Sequence, residues 1–231
     1  MNKSKSEIVW VGGMGTRLGG PRMERLMQEG GYTSHRVEGV HSAAGKLEVS
    51  SPSHQQKELD AICQKTAERR VLVSHCSGAL AVINMLKETT SGLSGLLIAP
   101  PLPNPIDVLT SAFVEKTMQK IHGAPHAYVD NLLPIKNEPP SFAAIPRDYY
   151  KEVSAASPNF YDTVKELVGE GVVKLAIPTR DWNKLAVTAT ANWLDPEKVL
   201  RLDARHDLSA PKEPNAQFEN YLQALSFMEN A

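Results

Sequence analysis

Residues Val71–Leu80, VLVSHCSGAL, decide how the rest of the chain is read. An apolar run stops at a serine, passes through His75, Cys76 and Ser77, and resumes at Gly78 as a pattern that suits a helix. A chain that turns this sharply from strand to helix crowds the positions two before and two after the central residue, so both must be small. Ser74-His75-Cys76-Ser77-Gly78 meets that demand with Cys76 at the centre. Ser77, the rival nucleophile, would need small residues at 75 and 79, and His75 is not small. The register selects the Cys76 thiol, and an elbow of this kind is expected to expose it.

Outward from this turn, strands alternate with helical patterns, the order expected of βαβ units and a mostly parallel sheet. Glu7 to Val11 reads as a first strand, followed by a glycine-rich loop from Gly12 to Gly20 and a helix opened by Pro21. Thr33 to Val40 reads as a second strand, and Gln55 to Arg69 carries Leu59, Ile62, Cys63 and Ala67 at helical spacing. Val71 to Val73 is a short buried strand, and Gly78 to Lys87 is apolar at nearly every position, as in a helix packed on a sheet. Gly92 to Ala99 and Gly171 to Ile177 are further strands, each ended by proline. Val199 to Leu202 is the last strand, and a final helix runs from about Pro214 to Met228. About seventy residues separate Ala99 from Gly171, far more than an ordinary connection of about 2–6 residues. Rich in proline and aromatics, this span is expected to form a lid over a site at the carboxyl ends of the strands; a decoration of the sheet edge is the alternative.

Composition narrows the function. The 231 residues are 42% hydrophobic and 22% charged with a formal net charge of −1, enough for one sizeable core and too short for two comfortable domains. Basic residues are scattered, so nothing points to nucleic acid or an anionic membrane. The start, MNKSKSEIVWVGG, has only Ile8 to Val11 as an apolar stretch, too brief for a signal-peptide core or a membrane span, and a cytoplasmic location is expected. A reducing compartment keeps Cys63 and Cys76 as thiols. No CxxC or Cys/His cluster suggests a metal site, and no cofactor is expected.

The stretch Val73-Ser74-His75-Cys76-Ser77-Gly78 resembles the elbow of the α/β-hydrolase superfamily, whose usual form reads V-G-H-S-x-G, with cysteine replacing the serine. The resemblance covers essentially the whole chain in element order, beginning at what would be the family's third strand. It implies a minimal α/β-hydrolase fold: a mostly parallel sheet of about six strands flanked by helices, with residues 1–102 and 169–231 as the core and 103–168 as a helical lid insertion. The family orders its triad nucleophile, acid, histidine, with the acid after the penultimate strand and the histidine after the last. Asp181 in LAIPTRDW and His206 in VLRLDARHDL fall at those places. VWVGGMG, Val9 to Gly15, is similar to the HGxGG segment that carries the oxyanion hole, which implies the backbone N–H groups of Met14 and Ser77 as donors. Gly12 stands where many members have histidine.

Asp107, after an earlier strand, is the second choice for the acid, because some members take theirs from that position. Asp195 also competes; Asp203 lies at the lip of the last strand, and Asp207 adjoins the histidine too closely to turn back onto its ring. Cys63 reads as a packing residue of an apolar helical face and His75 as a packing residue of the elbow. His35, His41, His54, His122 and His126 read as solvated or structural.

The triad implies that His206 draws the proton from Cys76, that Asp181 holds the imidazole, and that the thiolate attacks an acyl carbonyl to give an acyl-enzyme. In size and layout the chain resembles stand-alone thioesterases of carrier-protein pathways, so the expected substrate is an acyl thioester or ester, free or carried on a protein. An acyl thioester is also a good donor to amines, which leaves an acyltransferase or cyclase as the alternative. Dienelactone hydrolases share a Cys-centred elbow, but carry an acidic residue in the first loop that GGMGTRLGG lacks. A hydrolase fold used only for binding is the reading of a different class, and a binding protein has no reason to keep elbow, acid and histidine together.

Overall fold

The computed structural model describes residues 7–13, 32–43, 46–64, 69–89, 91–109, 127–130, 142–181, 184–191, 197–206, 208, 210 and 216–229. In chain order the strands are β1 (Glu7–Val11), β2 (Ser34–Val37), β3 (Val40–Ala43), β4 (Lys46–Val49), β5 (Arg70–His75), β6 (Leu93–Ile98), β7 (Ala127–Asp130), β8 (Phe142–Ile145), β9 (Val173–Pro178) and β10 (Val199–Leu202). The helices are α1 (Pro52–Cys63), α2 (Ala79–Glu88), α3 (Pro105–Leu109), α4 (Arg147–Gly169), α5 (Lys184–Ala189) and α6 (Ala216–Glu229). The main sheet has six strands in the order β10-β9-β6-β5-β1-β2, and every neighbouring pair in it is parallel.

Successive side chains of a strand point to opposite faces, and helices cover both faces of this sheet, so its strands read as nearly continuous apolar runs. Val9, Val11, Leu72, Leu97, Leu175 and Ile177 face one core with Leu59 of α1, most of α2, and Val153, Phe160 and Val164 of α4. Ile8, Trp10, Val71, Val73, Leu96 and Ile98 face the other with Tyr221, Ala224 and Leu225 of α6. Trp10 meets Tyr221 edge to face, ring centroids 5.4 Å apart. Buried Lys174 on β9 donates to the Phe227 carbonyl at 2.7 Å, near the carboxyl end of α6 where the helix dipole favours a cation.

The helix expected from Gln55 begins three residues earlier. Ser51 caps it, its hydroxyl accepting from His54 N at 3.3 Å, and Pro52 fills the first turn. The helix expected after Pro21 lies outside the described residues.

Four short strands form a second sheet in the order β3-β4-β8-β7, antiparallel at both hairpins and parallel between β4 and β8. It ties the segment after β2 to the segment between β6 and β9. The stretch 103–168, expected as a helical lid, thus holds β7 and β8 beside α3 and most of α4 among its described residues. Tyr149, Val153, Phe160 and Val164 of α4 belong to the main core.

Gly78, at the start of α2, packs its backbone on the carboxyl end of β1. A Cβ there would stand 2.6 Å from Val11 O and 2.8 Å from Gly12 O, main-chain atoms that cannot swing aside, whereas Gly169 at the end of α4 has nothing within 4 Å. Gly78→Ala is expected to destabilise the fold by about 1–3 kcal/mol, the usual cost of overpacking. Gly169→Ala should leave the urea midpoint unchanged or raise it. Equal midpoints for the two variants would refute the close approach.

Candidate active site

A parallel sheet sends the loops after β1, β5, β9 and β10 out from one edge. From β1 the chain steps to β2 on one side and returns to β5 on the other, which opens a crevice between the carboxyl ends of β1 and β5. That crevice is the usual ligand position in open α/β sheets. Cys76 stands in it.

β5 ends at His75, and one 3-10 turn, Cys76–Gly78, leads directly into α2. The turn holds Cys76 at φ +51°, in the left-handed region that residues with a Cβ enter only at a cost. The thiol was expected to be exposed, yet Cys76 is only 7% accessible. Backbone from the β1 loop and the ring of His206 crowd it.

Asp181 follows β9, His206 follows β10, and the structure brings both to Cys76. Asp181 is 1% exposed. The His206 Nδ1–H donates to both of its carboxylate oxygens, at 3.0 and 2.9 Å, and the Cys76 side chain lies within hydrogen-bonding reach of the same ring. Burial opposes a charge on the imidazole, but the neighbouring charge on Cys76 and the bond to Asp181 outweigh it and push the ring up to about 10.

The two loops are laced together behind the ring. Thr179 donates to the Leu202 carbonyl through both its N (2.8 Å) and its Oγ1 (3.1 Å), and Arg180 N donates to the Ala204 carbonyl at 3.0 Å. Outside them the Arg180 guanidinium forks onto Asp203, Nε to Oδ1 and Nη2 to Oδ2, each at 2.5 Å. Asp203 is thereby committed to Arg180. Asp107 lies exposed on α3, while Asp195 and Asp207 lie outside the described residues.

His75 does more than fill space. Its Nε2–H donates to the main-chain carbonyl of His206 at 2.7 Å, and the two rings meet edge to face at 4.8 Å. The residue before the candidate nucleophile therefore anchors the backbone of the candidate base. Nothing in the order of residues signals this, because the two lie 131 positions apart.

On the opposite side of Cys76 runs the segment after β1. A Cβ on Gly13 would stand 2.6 Å from His75 O, 2.8 Å from Cys76 Cβ and 3.3 Å from Ser77 N. Glycine thus keeps a side chain out of the space beside the Ser77 amide. Met14, the other expected donor, lies outside the described residues. Tyr149 of α4, which the sequence did not single out, is 1% exposed. Burial pushes its phenol far up, Ser77 pulling it down and the Cys76 charge pushing it further, so it stays a neutral O–H. Among the described residues no group of three or more His, Cys, Asp or Glu could hold a metal ion, and no helix is long and apolar enough to cross a membrane.

A folded-state value raised above the ordinary histidine value of about 6.5 means that the His206 pairing stabilises fully below that value and is lost as pH rises through about 10. The stability gap between wild type and Asp181→Asn should be wide near pH 6 and shrink towards pH 10, by urea unfolding across that range. In ring-nitrogen NMR the His206 titration should move down in Asp181→Asn. A gap that grows above neutral pH would contradict the pairing.

No protein-family model matches the sequence, and no curated protein matches it. Solved structures do match the fold. A monoacylglycerol lipase from Paleococcus ferrophilus aligns at a TM-score of 0.61 and 17% identity, over 97% of this chain and 94% of that one. A pyrethroid hydrolase from Sphingobium faniae gives 0.61 at 11% identity, over 97% and 96%. An extracellular α/β-hydrolase from a Paenibacillus species gives 0.58 at 12% identity, over 95% and 99%. With its parallel six-stranded sheet covered by helices on both faces, the chain has the α/β-hydrolase fold.

Proposed function

We propose that the chain is a hydrolase of acyl esters or thioesters that works through a covalent acyl-enzyme on Cys76. The observation that carries this reading is the buried Asp181–His206 pair set beside a cysteine held at positive φ. That solved chains of the same fold bear the names lipase and esterase supports an ester-type bond as the target.

In the proposed reaction His206 takes the proton of the Cys76 thiol, and the sulfur attacks the acyl carbonyl carbon. The carbonyl oxygen takes up the electron pair as an oxyanion. When it collapses, the bond to the leaving alkoxide or thiolate breaks and His206 returns its proton to that group. Water then attacks the Cys76 thioester with His206 as base, freeing the acid and the thiol. Asp181 keeps the imidazole in one tautomer with its second nitrogen turned towards the reaction. The oxyanion would be met by the Ser77 N–H and, on the resemblance of VWVGGMG, the Met14 N–H; one such donor is worth about 3–4 kcal/mol. The amino end of α2, which begins at the elbow, adds a dipole of the same sign.

The acyl group is proposed to arrive as a thioester or ester on a small molecule or a carrier protein. A second reading, transfer of the acyl group to an amine or to a nucleophile within the substrate, follows from the cysteine itself. A thioester intermediate is a better donor to amines than the ester a serine would form.

Cys76→Ala should abolish turnover of activated acyl thioesters, whereas Cys63→Ala, on the apolar face of α1, should leave it nearly intact. Burial pushes the Cys63 thiol up, so iodoacetamide should label Cys76 first, as peptide mass spectrometry would read. Asp181→Asn should lower kcat by about 10³–10⁴-fold with the fold retained. Full turnover in Cys76→Ala would sink the assignment. Hydrolysis and transfer separate when acyl-loaded wild type and Cys76→Ser are compared with and without added amine: free acid throughout means a hydrolase, and amide from the wild type alone means an acyltransferase.

A further inference from the structure

Gln55, in the first turns of α1, is 2% exposed. An amide taken out of water costs stability unless its groups are bonded, so a fully buried glutamine on a helix needs a reason. Its Nε2 donates to the Gly12 carbonyl at 2.6 Å and leans towards the Glu38 carbonyl at 3.4 Å. Those two carbonyls end β1 and β2, the strands that flank the crevice from one side. One side-chain nitrogen thus ties α1 to the first peptide of the loop that passes over Cys76.

The peptide unit is planar, so fixing the Gly12 oxygen fixes the plane that also contains the Gly13 nitrogen. Two consecutive glycines would otherwise have the widest choice of backbone conformations. Three other contacts close the remaining freedom. Gly12 N donates to the Val37 carbonyl at 2.9 Å. A Cβ on Gly39 would lie 1.8 Å from Gly13 O, so the turn after β2 presses on the following peptide. Gly13 itself abuts Cys76 Cβ and the Ser77 nitrogen. Of the hydrogen bonds among these contacts, only those from Gln55 come from a side chain.

We infer that Gln55 is a positioning residue for the oxyanion side of the site: by holding the Gly12 carbonyl it sets where the β1 loop lies over Cys76 and Ser77. This rests on the acyl-enzyme reading. It acts through the loop and touches no substrate, and its amide does not titrate, so the hold is the same at every working pH.

Two reactions of the same sulfur test it. Acylation by p-nitrophenyl acetate passes through an oxyanion and expels p-nitrophenolate. Alkylation by iodoacetamide forms the S–C bond as iodide leaves, with no oxyanion at all. Gln55→Met keeps the length and removes the donor. Acylation of Cys76 should slow by about 10–100-fold, the scale of a misplaced catalytic group, with alkylation unchanged. Equal slowing of both reactions would mean that Gln55 merely supports the fold, and equal acylation in variant and wild type would remove the role altogether. A wild type that alkylates at Cys76 yet forms no acyl-enzyme would overturn the acyl-enzyme reading itself, and this role with it.

Gln55→Glu keeps the shape should the Met variant not fold. Burial and two facing carbonyls favour the protonated carboxyl, which alone can donate to Gly12 O. The ratio of variant to wild-type acylation should therefore be higher at low pH and fall as the carboxyl ionises, with no such trend in alkylation. A ratio that does not change with pH would overturn the inference.

Discussion

Everything in the site depends on one contact between backbones: the end of β1 pressed onto the elbow that follows β5. Gly78 can approach Val11 and Gly12 only because it has no Cβ, and Gly13 can lie over Cys76 for the same reason. Were either wider, β1 and β5 could still pair, since their register is set further down the strands. Their ends would splay, and the loop beside the Ser77 amide would move away from Cys76. The small residues therefore serve the geometry of the crevice more than the sheet.

The frame around that contact keeps its parts from drifting. β9 and β10 deliver Asp181 and His206 on loops bonded to each other through Thr179, Arg180, Leu202 and Ala204. His75 then bonds the His206 carbonyl to the elbow. Asp181, His206 and Cys76 are thus tied together through bonds of the surrounding loops, so their arrangement is held without a ligand. The low accessibility of Asp181, 1%, strengthens its bond to the imidazole because little water competes.

Much of this was legible in the order of residues, and the reason is that it is local. Apolar runs ended by glycine or proline mark the strands of a sheet buried on both faces, and the small-x-Cys-x-small register marks a turn defined by sterics alone. Asp181 and His206 are singled out by the resemblance to the α/β-hydrolase triad order, and parallel strands deliver the loops that carry them to one edge. What stayed hidden depends on distant pairing. β3, β4, β7 and β8 are each four residues long and carry no alternating pattern of useful length. Gln55 reads as any polar residue near a helix start, and the Ser51–Pro52 cap lies outside the apolar spacing that marks the helix. The low accessibility of Cys76 has no local signal, because exposure of an elbow is a property of what lies over it.

A cysteine at this place changes what the histidine must do. Among the influences that raise the His206 ring to about 10, the charge on Cys76 stands first, ahead of the bond to Asp181. While the sulfur is charged the ring holds its proton, and in the proposed reaction it is ready to give that proton to the leaving group. Once the sulfur is acylated its charge is gone, since the thioester is neutral. The largest raising influence disappears, burial continues to disfavour the charged ring, and only Asp181 still supports it. In the proposed reaction the ring's hold on its proton is therefore weaker once the sulfur is acylated. The same imidazole would thus serve as acid and then as base, and Asp181, fixed on its laced loop, would be the partner that both states share.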